Sequence, residues 1–115
     1  MTDASAAWAI RCHYRPGGAD ERLAIRLEHI AYMIAALPVT VFGGAILSDD
    51  GTPVGMEVIL RLADRAAVQA FIDQEPYCRG GLFASIVIER VRAMTPPYDG
   101  APLYRELEIE RARHR

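Results

Sequence analysis

Glu75-Pro76-Tyr77-Cys78-Arg79-Gly80-Gly81-Leu82-Phe83 joins a helix-patterned run to the last strand-patterned run of a 115-residue chain. A residue directly before proline is pushed towards extended geometry, so the helix upstream should stop at Glu75. The Gly80-Gly81 pair then permits a turn that side chains would forbid. Between these two stops lie an aromatic ring, a thiol and a guanidinium. A connector with such varied chemistry is a better place to look for function than any strand.

Upstream of Glu75, the spacing of Val68, Phe71 and Ile72 predicts a helix to about Gln74, with Asp64 as its N-cap. Before it, Val54, Met56, Val58, Leu60 and Leu62 alternate cleanly and read as a strand. Ser48-Asp49-Asp50-Gly51-Thr52-Pro53 is a hairpin signal centred on Asp-Gly. Residues 39–47 form the strand before that hairpin. Gly43-Gly44 in its middle suggests a bulge or the close approach of another group.

Further upstream, Asp20 caps a helix predicted to run to Leu37, and Pro38 stops it. Its stripe Leu23, Leu27, Ile30, Ile34 and Leu37 is expected to face a sheet, with Ile25, His29, Tyr32 and Ala36 on a partly apolar flank that is expected to be covered or to line a pocket. Residues 6–14 read as the first strand, with Trp8, Ile10, Cys12 and Tyr14 on one face. Downstream of the connector, residues 83–93 are the fourth strand. Ile86 and Ile88 are expected on one face, and Phe83, Val87 and Val91 on the other. Residues 95–102 read as an irregular linker, and the charge-rich segment from Leu103 to Arg115 as an edge strand or a short helix. The organisation is therefore a domain over 1–94 and a C-terminal extension over 95–115.

Strand, helix, strand, strand, helix, strand is the split βαβ order. It implies an α+β, ferredoxin-like βαββαβ fold, with a four-stranded antiparallel sheet and both helices on one face. The other face would carry Ala7, Ala9, Phe42, Ile46 and Ile59, too apolar for open water. Packing against a second copy, as a dimeric α+β barrel, would cover it, so a homodimer is expected.

Thirteen basic and fifteen acidic residues give a formal charge of −2. No basic excess is available for a phosphate backbone, so nucleic acid is not expected as a partner. No apolar run approaches the roughly 20 residues that span a bilayer, and Met1–Ser5 begins no secretory signal. The expected location is the cytoplasm, without membrane contact. Cys12 and Cys78, the two cysteines, are far apart with no clustered histidine, so no metal is expected and both read as packed thiols. His13 reads as an interface residue, and no role is assigned to His114.

Three stretches resemble the YCII-related (YciI-like) family of small dimeric ferredoxin-like proteins. They are Arg26-Leu27-Glu28-His29-Ile30-Ala31-Tyr32, Asp49-Asp50-Gly51-Thr52-Pro53-Val54-Gly55, and Glu75-Pro76-Tyr77 with Gly81-Leu82-Phe83 and Ser85. The resemblance spans about residues 8–92. It implies an active-site pair of a histidine and a carboxylate, here His29 and Glu75. Position 75 is glutamate where the family usually has aspartate, which sets the carboxyl group one methylene further out. The family's Arg-Pro-aromatic ending is replaced by Glu89-Arg90-Val91.

A histidine is the natural proton shuttle near neutral pH, and a carboxylate on one ring nitrogen leaves the other free to take a proton. Tyr32 and Tyr77 are candidates to contact a substrate ring, Arg26 or Arg79 to hold an anionic group, and Ser85 to touch the ligand. Three functions are compatible with these residues. The first is a cofactor-free lyase or hydrolase performing elimination or hydrolysis on a small cyclic or aromatic compound. The second is a non-catalytic small-ligand-binding or accessory protein with the same pocket. The third is a cofactor-free monooxygenase or isomerase of the wider dimeric barrel group.

Overall fold

The computed structural model describes residues 6–94 and 101–114. Strands β1 (Ala6–Tyr14), β2 (Thr40–Leu47), β3 (Pro53–Leu60) and β4 (Phe83–Arg92) form one antiparallel sheet in the order β2-β3-β1-β4. With the helical segments that connect them, this is the expected ferredoxin-like α+β arrangement. Ile10 and Cys12 of β1, Val58 and Leu60 of β3, and Leu82 are at most 2% exposed. Val68 and Ile72 of α3 (Arg65–Gln74) close over them and are fully buried.

Local chemistry explains several boundaries. The Asp64 carboxylate accepts from the Ala67 N–H at 2.9 Å and caps α3. Glu75 is extended (φ −65°, ψ 130°), which ends α3 before Pro76. In the β2–β3 hairpin Gly51 takes φ 86°, and the Asp50 carboxylate accepts from the Ser48 hydroxyl and from the Thr52 N–H. β3 leaves the ladder after Leu60, and the Leu62 carbonyl accepts instead from the Trp8 indole at 3.1 Å.

The segment after β1 differs from the single helix expected over 20–37. It breaks into α1 (Gly18–Glu21), a 3₁₀ turn (Arg22–Ala24), α2 (Arg26–Ala35) and a second 3₁₀ turn (Leu37–Val39). Asp20 is not the N-cap; that position is Gly17, at φ 81°. A Cβ on the next residue, Gly18, would lie 2.5 Å from the Leu82 carbonyl oxygen, so close backbone approach fixes this start. At Ile25 the backbone (φ −114°, ψ 2°) leaves the α region and separates the turn from α2.

On α2 the flank packs more deeply than the stripe. Ile25, His29, Tyr32 and Ala36 are the half-buried set. Of the stripe, Leu23 and Leu27 face out, with Leu27 84% exposed, while Ile30, Ile34 and Leu37 border an open space on the β2–β3 side of the sheet. The flank packs deeper because its partners are specific. Tyr32 donates to the Phe71 carbonyl at 2.7 Å, His29 meets Glu75, and Ile25 packs where a Cβ on Gly80 would lie 2.6 Å from its Cδ1.

Register holds two further differences. The irregularities of β2 fall between Thr40 and Phe42 and between Ile46 and Leu47, not at Gly43-Gly44. On β4, Ser85 faces His13 but Phe83 faces Tyr14, so one extra residue turns Phe83 onto the core side with Ile88. Phe42, Ile59 and Ala9 lie side by side across the open face of the sheet, where Phe42 is 50% exposed. Ala7, expected there as exposed surface, is already buried. The C-terminal segment is helix, α5 (Ala101–Arg113), with Glu108–Arg111 and Glu110–Arg113 pairs one turn apart. Ala101 and Pro102 belong to α5 rather than to the expected linker, and residues 95–100 lie outside the described residues.

Candidate active site

Glu75 is a fully buried charged side chain, and a buried carboxylate is costly unless its oxygens are satisfied. Both are. Oε2 accepts from the Cys78 N–H at 3.0 Å, so the side chain caps the short helix α4 (Pro76–Arg79). Oε1 lies 2.5 Å from Nδ1 of His29. The extra methylene of glutamate therefore does not part the carboxylate from the imidazole. α2 rests on α4, which brings together two residues 46 positions apart.

With Nδ1 donating to the carboxylate, the histidine tautomer is fixed, and Nε2 is the ring nitrogen left for another molecule. The His29 side chain is 16% exposed. Its ring lies flat against Tyr77, with centroids 3.8 Å apart and planes 7° from parallel. Tyr77 in turn meets the edges of Tyr14 and Phe83, and Tyr14 stacks on Phe83 at 5.5 Å. The imidazole is thus held by one hydrogen bond and one aromatic wall.

His29 and Tyr77 open on a cavity of about 510 Å³ between α2 and the β2–β3 side of the sheet, within the size range of small-molecule sites. Tyr14, Arg22 and Arg26 complete its polar end. Ile30, Met33, Ile34 and Leu37 make its apolar wall, facing the backbone of Gly43 and Gly44. The two glycines line a ligand-sized space; they do not mark a bulge.

Burial raises the Tyr77 phenol above its ordinary pKa, and the Glu75 carboxylate adds to this while Arg22 and Arg26 oppose it. Tyr14 is raised by burial and by Tyr77, again against Arg22. Burial, then Glu75, also pushes the Cys78 thiol up, which is the wrong direction for a thiolate nucleophile. Cys12 is pushed up to about 12. Among the described residues no group of His, Cys, Asp and Glu could hold a metal ion, and no helix is long and apolar enough to cross a membrane.

Of the residues singled out from the sequence, His29, Glu75, Tyr77 and Arg26 are brought together. Tyr32 is not: its hydroxyl is committed to the Phe71 carbonyl, and it borders a separate shallow hollow with Arg79. Ser85 faces His13 on the other side of the sheet. Arg22 and Tyr14 were not singled out for the site. A signal for Arg22 existed, since Arg22, Arg26 and His29 follow the i, i+4, i+7 spacing of one helix face.

The sequence model of the YCII-related domain matches residues 6–92. A search of curated proteins returned no match. Among solved structures, 5-chloro-2-hydroxyhydroquinone dehydrochlorinase from Burkholderia phenoliruptrix AC1100, in complex with 2,5-dihydroxybenzoquinone, is 26% identical. The alignment covers 75% of this chain and 93% of the other, with a TM-score of 0.70. A candidate antibiotic biosynthesis monooxygenase from Bacteroides thetaiotaomicron is 15% identical over 82% of this chain and 93% of that one, with a TM-score of 0.51. A Pseudomonas aeruginosa protein is 14% identical over 83% and 99%, also at 0.51. The last two likenesses are of fold.

Proposed function

The chain belongs to the YCII-related domain family, and on that premise we propose that it is a cofactor-free enzyme acting on a small cyclic or aromatic compound by general acid–base chemistry. His29 is the base and Glu75 its orienter. The observation that carries the reading is the 2.5 Å contact between His29 Nδ1 and the wholly buried Glu75 carboxylate, beside a cavity of ligand size. A carboxylate so enclosed has no solvent role. It stabilises the imidazolium that forms when Nε2 accepts a proton.

The reaction this suits best is elimination from a hydroxylated ring. Nε2 takes a proton from the substrate, the released electron pair forms a new double bond, and a leaving group departs with its own pair. No electrons enter or leave the system. The dehydrochlorinase that this chain resembles works on a chlorinated hydroxyhydroquinone, which makes that compound class the first to assay.

The functional unit is residues 1–94, with 95–115 as an extension, in a cytoplasmic homodimer. Support for the dimer is the exposure of Phe42 and Val87 on the sheet face away from the helices, beside the half-buried Ile46 and Ile59. Light scattering giving a monomer at micromolar concentration would remove this part of the reading.

The direct test is His29→Ala, assayed for both binding and turnover. Loss of turnover with binding retained is the expected result. Turnover at the parent rate would refute the proton-transfer role, and binding by a parent that turns over none of the assayed rings would leave a non-catalytic ligand-binding protein.

A further inference from the structure

Two cations stand in the cavity without a matching anion. Arg22 and Arg26 both line it, one turn apart on the side that carries His29. Among the described residues neither pairs with a carboxylate: the described ion pairs of Arg11, Arg15, Arg111 and Arg113 leave both out. The Glu57 carboxylate points to the open face of the sheet, where it meets Arg11 at 3.3 Å. Glu75 is turned away, to His29 and the Cys78 N–H.

Both arginines line the same cavity as His29 and Tyr77. Arg22 is half-buried and donates to the Ala19 carbonyl, which anchors its side chain. Both arginines act on the Tyr77 phenol, whose ring is stacked on His29. Positive charge therefore gathers at the end of the cavity where the imidazole sits, while Ile30, Met33 and Ile34 keep the wall beside it apolar. One half-buried and one exposed guanidinium group beside apolar and aromatic walls select a flat molecule with a negative oxygen at one end.

We infer that the cavity binds its ligand as a planar ring oxyanion, an enolate or phenolate of a hydroxylated quinone or arene, with Arg22 and Arg26 holding the anionic oxygen beside His29 and Tyr77. This rests on the reading of the cavity as the functional site and adds the substrate's charge state. The arginines serve binding and orientation: they hold the ring by its anionic oxygen, with the remaining ring positions left to His29. Arg79, on the far side of α4 at the separate hollow, takes no part.

The test is isothermal titration calorimetry on the full chain with four probes: 2,5-dihydroxybenzoquinone as the ring enolate, benzoate, inorganic phosphate, and resorcinol as a neutral ring of similar size. The enolate is expected to bind, and to weaken as salt is raised. Arg22→Gln and Arg26→Gln should each weaken it about tenfold or more, while leaving resorcinol unchanged. Arg22 anchors on Ala19, so its variant could also loosen the fold. Arg26 is exposed and has no such partner, so its variant alone decides the matter.

Equal enolate affinity in the parent and in Arg26→Gln overturns the inference, as does resorcinol binding as tightly as the enolate. Benzoate or phosphate binding more tightly than the enolate would move the ligand class to carboxylates or to free phosphate and overturn the ring-oxyanion assignment. The outcome is separable from that of the enzyme proposal. Arginine-dependent binding without turnover leaves the oxyanion site standing and removes the enzyme. Turnover with arginine-independent binding does the reverse.

Discussion

The imidazole of His29 and the phenol ring of Tyr77 lie 3.8 Å apart and within 7° of parallel, so Tyr77, which also borders the cavity, is a wall for the histidine. Tyr77 is 3% exposed and packs against Tyr14 and Phe83 as well. Tyr77→Phe keeps the ring and should alter unfolding free energy by less than about 1.5 kcal/mol. Tyr77→Ala empties a core position and should cost about 3–5 kcal/mol in urea denaturation. In turnover assays, Tyr77→Leu is expected to lower kcat more than it raises KM, because the base loses its orientation while the cavity stays open. A kcat equal to that of the parent would count against the wall.

Glu75 makes two contacts that one substitution can separate. Glu75→Gln retains a side-chain oxygen for the Cys78 N–H, so the cap of α4 can survive. It cannot stabilise an imidazolium on Nδ1. The expected outcome is a folded protein whose kcat falls on the order of 10²–10⁴-fold. Glu75→Asp, which restores the family's usual residue, should keep activity at or above that of the parent. Full activity in Glu75→Gln, with circular dichroism unchanged, would break the proposed pairing.

Cys12 is fully buried between β3 and β4, and desolvation, then the Glu75 charge, pushes its thiol up to about 12 from 9.0. The thiolate is the reactive form, so iodoacetamide at pH 8 should leave Cys12 unlabelled in the native protein and label it after unfolding. The sign for stability follows from the raised value. The contribution is intact below pH 9 and is lost as pH climbs from 9 towards 12, where the unfolded chain holds fewer protons than the folded one. Rapid native labelling of Cys12, read by mass spectrometry, would contradict the burial.

Two glycines in neighbouring strands should respond in opposite ways. A Cβ on Gly55 would sit 2.0 Å from the Cys12 carbonyl oxygen, a backbone atom that cannot yield locally. Gly55→Ala is therefore expected to lower the unfolding midpoint strongly, by more than about 2 kcal/mol of stability, or to prevent folding. At Gly43 the nearest atoms to an added Cβ are 4.0 Å away, on Thr40 and Val58. Gly43→Ala should fold normally, whereas Gly43→Leu should fill the cavity and abolish binding of 2,5-dihydroxybenzoquinone. A thermal melt of Gly55→Ala matching the parent would show that the strand approach is looser than described.

Much of this architecture was legible because its causes are local. The alternation Val54, Met56, Val58 and Leu60 gives β3, the Asp64 side chain starts α3, and a residue before proline ends it, each within a few residues. The hairpin followed from Asp50-Gly51 in the same way, since Gly51 does adopt a positive φ. The histidine and the carboxylate were nameable through a family resemblance, and their side chains do meet.

Sequence alone determined the four strands, the helical character of the two segments between them, and their order, and hence the α+β class. It could not decide how the helical segment after β1 rolls, because that segment carries two largely apolar flanks and an intrinsic pattern cannot rank them. The decision came from partners 39 and 46 residues away: the Phe71 carbonyl for Tyr32, and the Glu75 carboxylate for His29. Buried polar groups must find partners, so this flank packs deepest, while Ile30, Ile34 and Leu37 of the stripe are left lining the cavity. The same roll carried Arg22 and Arg26 into the cavity, and one extra residue in β4 put Phe83 on the core side. Such choices belong to the tertiary structure, because their energies depend on groups that approach one another only after the chain has folded.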